Sequence, residues 1–347
     1  MKYLFIITGI AYGHLTREEA ILNKLKKLDK KADITIAGYK HSYAYFKNDY
    51  KILKLNSVFF SGKKGKFESI KMLLKNYNLI FSWLNDIKII DDFINEFDPD
   101  VVISDWEPFA LLIRKCDYLI YNYKLEYSKA NNLSIFLQKE LIGLGYFIAR
   151  IFGMKIILPS IEKRENIKNY IYTGLIVRKT PDNVKPLNEF KDSILVMIGG
   201  SDFGIGLAEK IKNISNEFKE RFVFFGYKCR GKNCIGYNKF KDDYLEYLKS
   251  CKSVISLGGY SGISESLFFK KPNLAFPIKD QVEQQAVVEE FKEYIEIGDI
   301  ESSEEELKNK IKKFLGNLDK MKRNLNKLKL TNGADEVAEI IYKKAKS

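Results

Sequence analysis

A histidine follows a glycine-rich turn close to the N-terminus of this 347-residue chain. In the stretch TGIAYGHLTREEA an apolar strand pattern ends at Gly9, and a helical pattern begins beside Gly13 and His14. The amino end of a helix carries partial positive charge, which favours the neutral imidazole that can accept a proton. The motif predicts either a general base or a histidine that only caps the helix, and it leaves both interpretations open.

A second glycine-rich turn, MIGGSDFGIG, lies between a strand pattern and a helical pattern at residues 197–206. The backbone amides of Gly200 and Ser201 in this turn could hold a phosphate group. Glycine-rich turns also occur where a strand simply leads into a helix, so this motif alone is weak support for a binding site.

The third motif, VISLGGYSGISESLFFKKPNLAFPIKDQVEQQ, occupies residues 254–285. Its first strand pattern ends in a glycine pair that includes Gly259, and a helix begins near Ser261 and Gly262. The unpaired amides and the dipole at such a helix start form an anion site. Glu265 lies about one turn further along, on the face nearest the turn, where its carboxylate can accept hydrogen bonds from a ribose diol.

Asp280 and Gln281 follow the next strand pattern of this motif, NLAFP, which ends at Pro277. Ligands of parallel sheets bind beyond the carboxyl ends of the strands, so this pair could hydrogen-bond sugar hydroxyls. The alternative is an ordinary strand–turn–helix connection. That alternative does not explain why three polar features follow consecutive strand ends.

The elements that must position these motifs are strands that alternate with helices in both halves of the chain. The strand patterns are KYLFIIT, ADITIAG, DPDVVISD and YLIYNY in the first half, and SILVMIGG, RFVFFG, CKSVISLGG and PNLAFP in the second. Strands separated by helical patterns predict parallel sheets with right-handed crossovers. The sequence therefore predicts an α/β fold with two Rossmann-like, doubly wound domains that face a cleft.

The predicted domain boundary is the polar stretch RKTPDNVKPLNEFKD, residues 178–192, which contains two of the seven prolines. It separates an N-terminal domain, residues 1–177, from a C-terminal domain with a helical tail, residues 193–347. The length of the chain suits two hydrophobic cores of this size.

The third motif resembles the donor-binding signature of UDP-glycosyltransferases. That superfamily includes the glucuronosyl- and plant secondary-metabolite transferases and the bacterial transferase that adds N-acetylglucosamine to the peptidoglycan lipid precursor. The stretch Gly-His-Leu-Thr-Arg is similar to its N-terminal histidine loop, and the GGS turn is similar to its second-domain phosphate loop. The residues of the third motif that carry the resemblance are Gly258, Gly259, Glu265, Pro272, Pro277, Asp280 and Gln281.

The resemblance implies a GT-B fold, with acceptor binding in residues 1–177 and nucleotide-sugar binding in residues 193–347. It implies that Glu265 holds the ribose of a UDP-sugar, while Asp280 and Gln281 hold the hexose. It also implies a set of residues that surround the diphosphate and the base: Gly13, Gly200, Ser201, Lys241, Gly259, Ser261 and Gly262.

The resemblance further implies that His14 deprotonates an acceptor hydroxyl. Asp105, in VVISDWEPF, matches the place of an aspartate that orients this histidine in the plant-type enzymes. The peptidoglycan enzyme lacks that partner, so Asp105 could instead be a helix N-cap before EPFALL. Direct displacement of UDP by the activated acceptor oxygen would invert the anomeric centre.

No metal ion and no cofactor besides the UDP-sugar co-substrate is expected, because helix dipoles and loop amides would stabilise the departing diphosphate. The only Asp-x-Asp sequence begins at Asp98, at a strand start and away from the expected cleft. Cys229 and Cys234 lie close together but have no histidine nearby, so we expect reduced, structural cysteines instead of a zinc site.

The formal net charge of +13 indicates an anionic partner without selecting one. Residues 57–84 interleave lysines, among them Lys63, Lys64 and Lys66, with apolar side chains, and residues 135–154 could add a helix in the membrane plane. Such a surface could bind anionic lipid, as comparable patches do in the peptidoglycan enzyme, which makes a lipid-linked acceptor a hypothesis. The alternative is a solvated loop beside core helices. The acceptor could also be a glycan that is not linked to a lipid.

The apolar N-terminal stretch is short and has no cleavage site, so it predicts a strand and not a signal peptide. Since no stretch of about 18 apolar residues is free of charge, we predict no transmembrane helix. The expected location is cytoplasmic, with peripheral binding to the inner face of the cell membrane as an option.

Three other functions fit parts of the sequence. A nucleotide-sugar hydrolase of the same fold would also keep the histidine loop and would release free sugar without an acceptor. A non-catalytic subunit would bind the UDP-sugar and turn nothing over. A nucleic-acid binder is indicated only by charge, and no basic recognition helix or aromatic–basic RNA signature accompanies it, so we predict no nucleic-acid partner.

Overall fold

The computed structural model places most of the chain. Gly200, Ser201 and Lys241, three of the predicted site residues, lie outside the residues that it describes, and so does most of the lysine-rich stretch before Leu79. The described ranges are 1–56, 62–63, 66–67, 75–113, 115–162, 164–199, 202–238 and 243–347.

The first half of the chain forms a seven-stranded parallel sheet and a small antiparallel hairpin. In chain order its strands are β1 (Lys2–Ile7), β2 (Asp33–Gly38), β3 (Lys51–Lys54), the hairpin strands β4 (Gly62–Lys63) and β5 (Lys66–Phe67), β6 (Val101–Asp105), β7 (Tyr118–Ile120), β8 (Lys155–Pro159) and β9 (Tyr170–Thr173). The sheet order is β3-β2-β1-β6-β7-β8-β9. The described helices of this half are α1 (Tyr12–Leu28), α2 (Lys40–Phe46), α3 (Leu79–Phe97) and α4 (Leu133–Ile151).

The second half repeats this architecture with a six-stranded parallel sheet in the order β12-β11-β10-β13-β14-β15. Its strands are β10 (Ile194–Met197), β11 (Phe222–Phe225), β12 (Cys234–Tyr237), β13 (Ser253–Leu257), β14 (Asn273–Phe276) and β15 (Glu296–Ile297). The helices are α5 (Ile205–Ile214), α6 (Tyr244–Ser250), α7 (Tyr260–Phe268), α8 (Val282–Phe291), α9 (Glu304–Gly316), α10 (Leu318–Lys327) and α11 (Gly333–Ala345).

Both sheets are covered by helices on both faces, which explains why their central strands are apolar without interruption. In β1 the side chains of Tyr3 and Phe5 pack against α1 on one face, while Leu4 and Ile6 pack against α3 on the other. Successive side chains of a strand point to opposite faces, so each face needs its own apolar set. The two layered halves confirm the predicted α/β class with two doubly wound sheets.

Two local predictions differ from the structure. The stretch EPFALL does not form the α-helix that Asp105 could have capped, and Pro108–Leu112 form a short 3-10 helix with Pro108 at its start instead. The helical tail that we assigned to the second domain ends in α11, whose Val337 and Ile341 are buried in the core of the first sheet. The domain boundaries themselves stay a prediction.

The two halves contact each other through a buried ion pair. Lys124, just after β7, donates hydrogen bonds of 2.7 Å to both carboxylate oxygens of Glu290 on α8 and one of 2.6 Å to the carbonyl of Pro159. Both side chains are almost fully buried, at 1% and 2% exposure. Removing one partner of such a pair leaves an uncompensated buried charge, so the pair constrains how the halves sit together.

Candidate active site

The two sheets change strand order at equivalent places, and the predicted motifs follow the strands at those places. In the first sheet β1 lies between β2 and β6, and Ile7 is in register with Asp105. In the second sheet β10 lies between β11 and β13, and Met197 is in register with Ser256. Ligands of doubly wound sheets bind beyond the carboxyl ends of the strands at such switch points.

The switch point of the first sheet brings His14 and Asp105 together. Helix α1 begins at Tyr12, which places His14 in its first turn, and the Nδ1 atom of His14 lies 2.9 Å from Oδ1 of Asp105. Asp105 is the last residue of β6 and does not cap a helix. Nη2 of Arg17 also lies 3.0 Å from Nδ1 of His14. Because the carboxylate of Asp105 is the stronger acceptor for both groups, we assign the ring proton to Nδ1, which leaves Nε2 as the proton acceptor.

Arg17 contacts the same carboxylate from one turn further along α1. Its Nε donates to Oδ2 of Asp105 at 3.1 Å and its Nη2 donates to Oδ1, while Nη1 donates to the side-chain oxygen of Asn122. Burial by itself would raise the pKa of Asp105, but Arg17 and His14 hold it at about 2. The carboxylate is therefore ionised throughout the pH range in which proteins normally work.

Two further buried carboxyl groups lie beside this pair. Glu18, the next residue on α1, is 0% exposed, and neither of its carboxylate oxygens has a hydrogen-bond donor in the described part of the chain. Glu107, two residues after Asp105, is also buried. Burial raises the pKa of Glu107 to about 8, although hydrogen bonds with Tyr39 and Thr8 act in the opposite direction.

The corresponding turn of the second half is open at the start of α7. Gly259 is the N-cap of this helix, no side chain caps it, and a Cβ atom at this position would meet nothing within 4 Å. The amides of Ser261 and Gly262 in the first turn have no carbonyl four residues back within the helix to accept them. This turn reaches the first half directly, since the hydroxyl of Ser261 donates to the carbonyl of Gly13 at 2.8 Å.

Glu265 lies one turn into α7 and is 4% exposed. Its carboxylate accepts hydrogen bonds from Arg178, at 2.9 Å from Nε to Oε1 and 3.3 Å from Nη2 to Oε2. This fork occupies one acceptor position on each carboxylate oxygen of Glu265. The group predicted to hold a ribose is thus already oriented by an arginine from the stretch that connects the halves.

Asp280 and Gln281 differ in their surroundings. Asp280 has a left-handed backbone with a φ of 61°, and its Oδ1 accepts a hydrogen bond of 2.8 Å from Asn132, the N-cap of α4. The side-chain oxygen of Gln281 is buried and has no hydrogen-bond donor among the described residues. Asp280 is therefore held by the first half, and Gln281 retains an unused acceptor beside it.

Gln284 fixes the shape of the second-half turns. Its side-chain oxygen accepts the backbone N–H of Gly258 at 3.1 Å and that of Ile278 at 2.9 Å. One amide therefore ties the turn after β13 to the turn after β14, which sets the distance between Gly259 and Asp280.

A cavity of about 370 Å³ opens between the halves, next to Asp280 and not next to His14. Both halves line it, with Tyr127, Lys129 and Asn131 on one side and Pro277 and Lys279 on the other.

Four residues of the site were not identified from the sequence. Arg17 and Glu18 follow His14 by three and four positions, so helical spacing alone places all three on one face of α1 and could have revealed them. Arg178 and Asn122 had no such signal, because their partners lie 87 and 105 residues away in the chain.

Comparison with known proteins identifies the family to which this arrangement corresponds. Residues 1–121 and 149–319, most of the chain, match the model of the family described as Glycosyl transferase family 1. A Methanosarcina mazei protein named as an uncharacterized glycosyltransferase is 26% identical over 327 residues, which cover 84% of each chain.

Two further similarities concern a peptidoglycan enzyme and a plant protein. A Clostridium botulinum UDP-N-acetylglucosamine–N-acetylmuramyl-(pentapeptide) pyrophosphoryl-undecaprenol N-acetylglucosamine transferase is 24% identical over 375 residues, covering all of both chains. Among solved structures, Arabidopsis thaliana UGT89C1 complexed with UDP-L-rhamnose superposes with a TM-score of 0.66 at 12% identity, covering 99% of each chain. The structural likeness confirms the GT-B fold.

The buried Glu107 predicts a specific dependence of stability on pH. Its pKa is raised by folding from 4.5 to about 8, so the folded protein binds more protons than the unfolded chain between these values. Stability should therefore fall as pH rises through this window, and Glu107→Gln should remove up to about 4 kcal/mol of that fall. Urea unfolding of the wild-type protein and of Glu107→Gln at several pH values from 5 to 8 measures this change in the free energy of unfolding.

The exposed Glu339, which pairs with Lys343 on α11, provides the control for this experiment. Glu339→Gln should keep the pH dependence of the wild-type protein, because an exposed carboxyl contributes little to it. If Glu107→Gln behaved like this control, the raised pKa would be wrong.

Proposed function

This chain belongs to glycosyl transferase family 1, and we propose that it transfers a hexose from a UDP-sugar to a hydroxyl group with inversion and without a metal ion. The observation that supports the mechanism best is the buried contact between His14 and Asp105 at the first switch point. It lies where Gly13 meets Ser261, so a donor bound to the second half would face the histidine.

The proposed chemical step begins with proton transfer from the acceptor hydroxyl to Nε2 of His14. Asp105 keeps the other ring nitrogen protonated and stabilises the imidazolium that forms. The acceptor oxygen forms its bond to the anomeric carbon from one side while the bond to the diphosphate breaks on the other. The departing UDP carries the electron pair of that bond, and a direct displacement of this kind inverts the anomeric centre.

The second half would bind the donor through the turns after β10, β13 and β14. The uncapped amides of Ser261 and Gly262 and the dipole of α7 are suited to the diphosphate, together with Gly200 and Ser201. Glu265, oriented by Arg178, would accept hydrogen bonds from the ribose. Residues proposed for the remaining contacts are Lys241 for the base, Asp280 and Gln281 for the hexose, and Gly13 and Gly259 for close approach of the backbone.

We also propose a lipid-linked acceptor at the inner face of a membrane. The Clostridium botulinum relative acts, by its name, on a pyrophosphoryl-undecaprenol substrate. In this chain α4 exposes apolar side chains along one side, with the single acidic residue Glu140 among them and the exposed cations Arg150 and Lys155 near its end. The exposed apolar residues are Leu133, Phe136, Leu137, Leu141, Leu144, Phe147 and Ile151.

An apolar helix face with nearby cations fits the interface of an anionic bilayer, where the apolar side chains enter and the cations contact headgroups. None of the described helices is long and apolar enough to span a bilayer. The binding that we propose is peripheral and involves this face and the lysine-rich residues before it.

Binding of the nucleotide donor should raise the thermal stability of the protein. A ligand at 100 times its dissociation constant adds roughly 2.7 kcal/mol, and UDP or one UDP-sugar should produce such a shift. Glu265→Ala should abolish most of it by removing the ribose contact. The measurement is the melting temperature of the protein with UDP, TDP, GDP and the corresponding nucleotide-sugars. If none of them shifted the melting temperature of the wild-type protein, the proposed donor site would be wrong.

Replacing the proposed base should slow transfer without weakening donor binding. His14→Ala should lower kcat by about 10²–10⁴-fold, the usual contribution of general base catalysis, and leave the melting shift with UDP intact. His41→Ala, a change of the only other histidine, should leave the rate unchanged. Wild-type activity should persist in excess EDTA, and loss of activity there or full activity of His14→Ala would contradict the mechanism.

Binding to vesicles tests the proposed membrane face. The protein should sediment with phosphatidylglycerol vesicles at low salt and be released at high salt, because screening weakens attraction between exposed charges. Leu137→Asp with Leu141→Asp should reduce the bound fraction several-fold, whereas Ile167→Asp, at an exposed apolar residue outside this face, should not. Equal sedimentation of all three proteins would exclude α4 as the contact surface.

A further inference from the structure

Glu18 is a fully buried carboxyl group that has no role in the proposed mechanism. It follows His14 by four residues on α1, one turn away on the same side as Arg17. It is 0% exposed, and none of the described residues donates a hydrogen bond to either of its oxygens. A buried carboxylate without a donor is among the most costly arrangements in a protein, so this group requires an explanation.

Asp105 is the neighbour that supplies the explanation. A carboxylate has about four acceptor positions, two on each oxygen. On Oδ1 of Asp105 they are taken by His14 and by Nη2 of Arg17, and on Oδ2 one is taken by Nε of Arg17. These donors leave one acceptor position on Oδ2, and Glu18 is close enough to Asp105 for a hydrogen bond between the two carboxyl groups, which requires a proton on one of them.

The charges around Glu18 favour the same arrangement. The charged groups that face it are Asp105 on β6 and Arg17 on its own helix, and Glu283 on α8 acts on Arg17 from the second half. Arg17 directs two of its donors to Asp105 and one to Asn122, and it gives none to Glu18. When two adjacent buried carboxyl groups share one cation, ionising both of them is unfavourable. The cation here is Arg17, and its donors are directed to Asp105 and not to Glu18.

We propose that Glu18 is a positioning residue that stays protonated and donates a hydrogen bond to Asp105, completing the contacts that hold this carboxylate against His14. The proposal rests on the assignment of His14 and Asp105 as the catalytic pair. Glu18 then acts on the base only through Asp105, by fixing the orientation of the carboxylate and sharing its negative charge. Burial raises the pKa of Glu18 well above its ordinary value, and the charge of Asp105 raises it further.

Infrared difference spectroscopy tests the protonation state without any substrate. At neutral pH the spectrum of the wild-type protein minus that of Glu18→Gln should contain the C=O band of a protonated carboxyl group. The C=O band of protonated Glu107 is present in both proteins and cancels in the difference spectrum. The spectrum of the wild-type protein minus that of Glu107→Gln serves as the positive control. A carboxylate band in place of the C=O band would show that Glu18 is ionised and would overturn the proposal.

Kinetics of transfer test the positioning role. Glu18→Gln keeps an N–H donor for Asp105 and adds no charge, so its kcat/KM should stay within about threefold of the wild-type value with the same pH profile. Glu18→Leu removes the donor and should lower kcat about tenfold while KM for the donor stays constant. A pH profile shifted by Glu18→Gln, or unchanged kcat in a folded Glu18→Leu, would contradict the role.

The two experiments also separate this proposal from the proposed function. If Glu18→Leu fails to fold, the infrared spectrum and the pH profile of Glu18→Gln still decide. A wild-type protein that transfers no sugar would refute the catalytic role, and with it the positioning role. The infrared band would then report only whether the proton lies on Glu18.

Discussion

The arrangement of the first half depends on one buried carboxylate, that of Asp105. A buried anion is tolerated only when its charge is compensated and its acceptor positions are filled, and Arg17 and His14 do both from one face of α1. This requirement fixes the rotation of α1 relative to the sheet, because any other rotation would withdraw the arginine. The orientation of the His14 ring follows from the same contacts, so the ion pair that stabilises the fold also places the proposed base.

The contacts between the halves impose the second constraint. Lys124 and Glu290 are nearly fully buried, so separating them would leave each charge without a partner in an apolar environment unless water entered. The Ser261 to Gly13 hydrogen bond and the Asn132 to Asp280 hydrogen bond join the same two halves around the site. In this arrangement the turn at the start of α7 lies against the loop that carries Gly13 and His14.

Particular residues show how far prediction from sequence reached. The approach of His14 to Asp105 was predictable because both follow strands of one parallel sheet at its switch point, so the topology brings them together. Gly13 and Ser261 were both named, but their contact depends on the relative placement of two sheets, which no local pattern encodes. The EPFALL stretch could be read as the start of a helix that Asp105 caps, yet Pro108–Leu112 form only a short 3-10 helix. The last helix had no sequence signal for its return to the first sheet, because an apolar stripe indicates that a helix packs and not where.

The sequence by itself determined the fold class, the strands and the turns that carry the site, because hydrophobic periodicity and glycine positions are local properties of the chain. It also supplied the candidate residues for nucleotide-sugar binding and for a base, through residue type, position at strand ends and a resemblance to a known superfamily, and these roles stay predictions. Only the tertiary structure decided the electrostatics of the site. Arg17 compensates the charge of Asp105, and Arg178 donates hydrogen bonds to Glu265. Glu18 is buried and has no hydrogen-bond donor among the described residues. The energy of a charge depends on burial and on neighbours that are distant in the chain, and these exist only once the chain is folded.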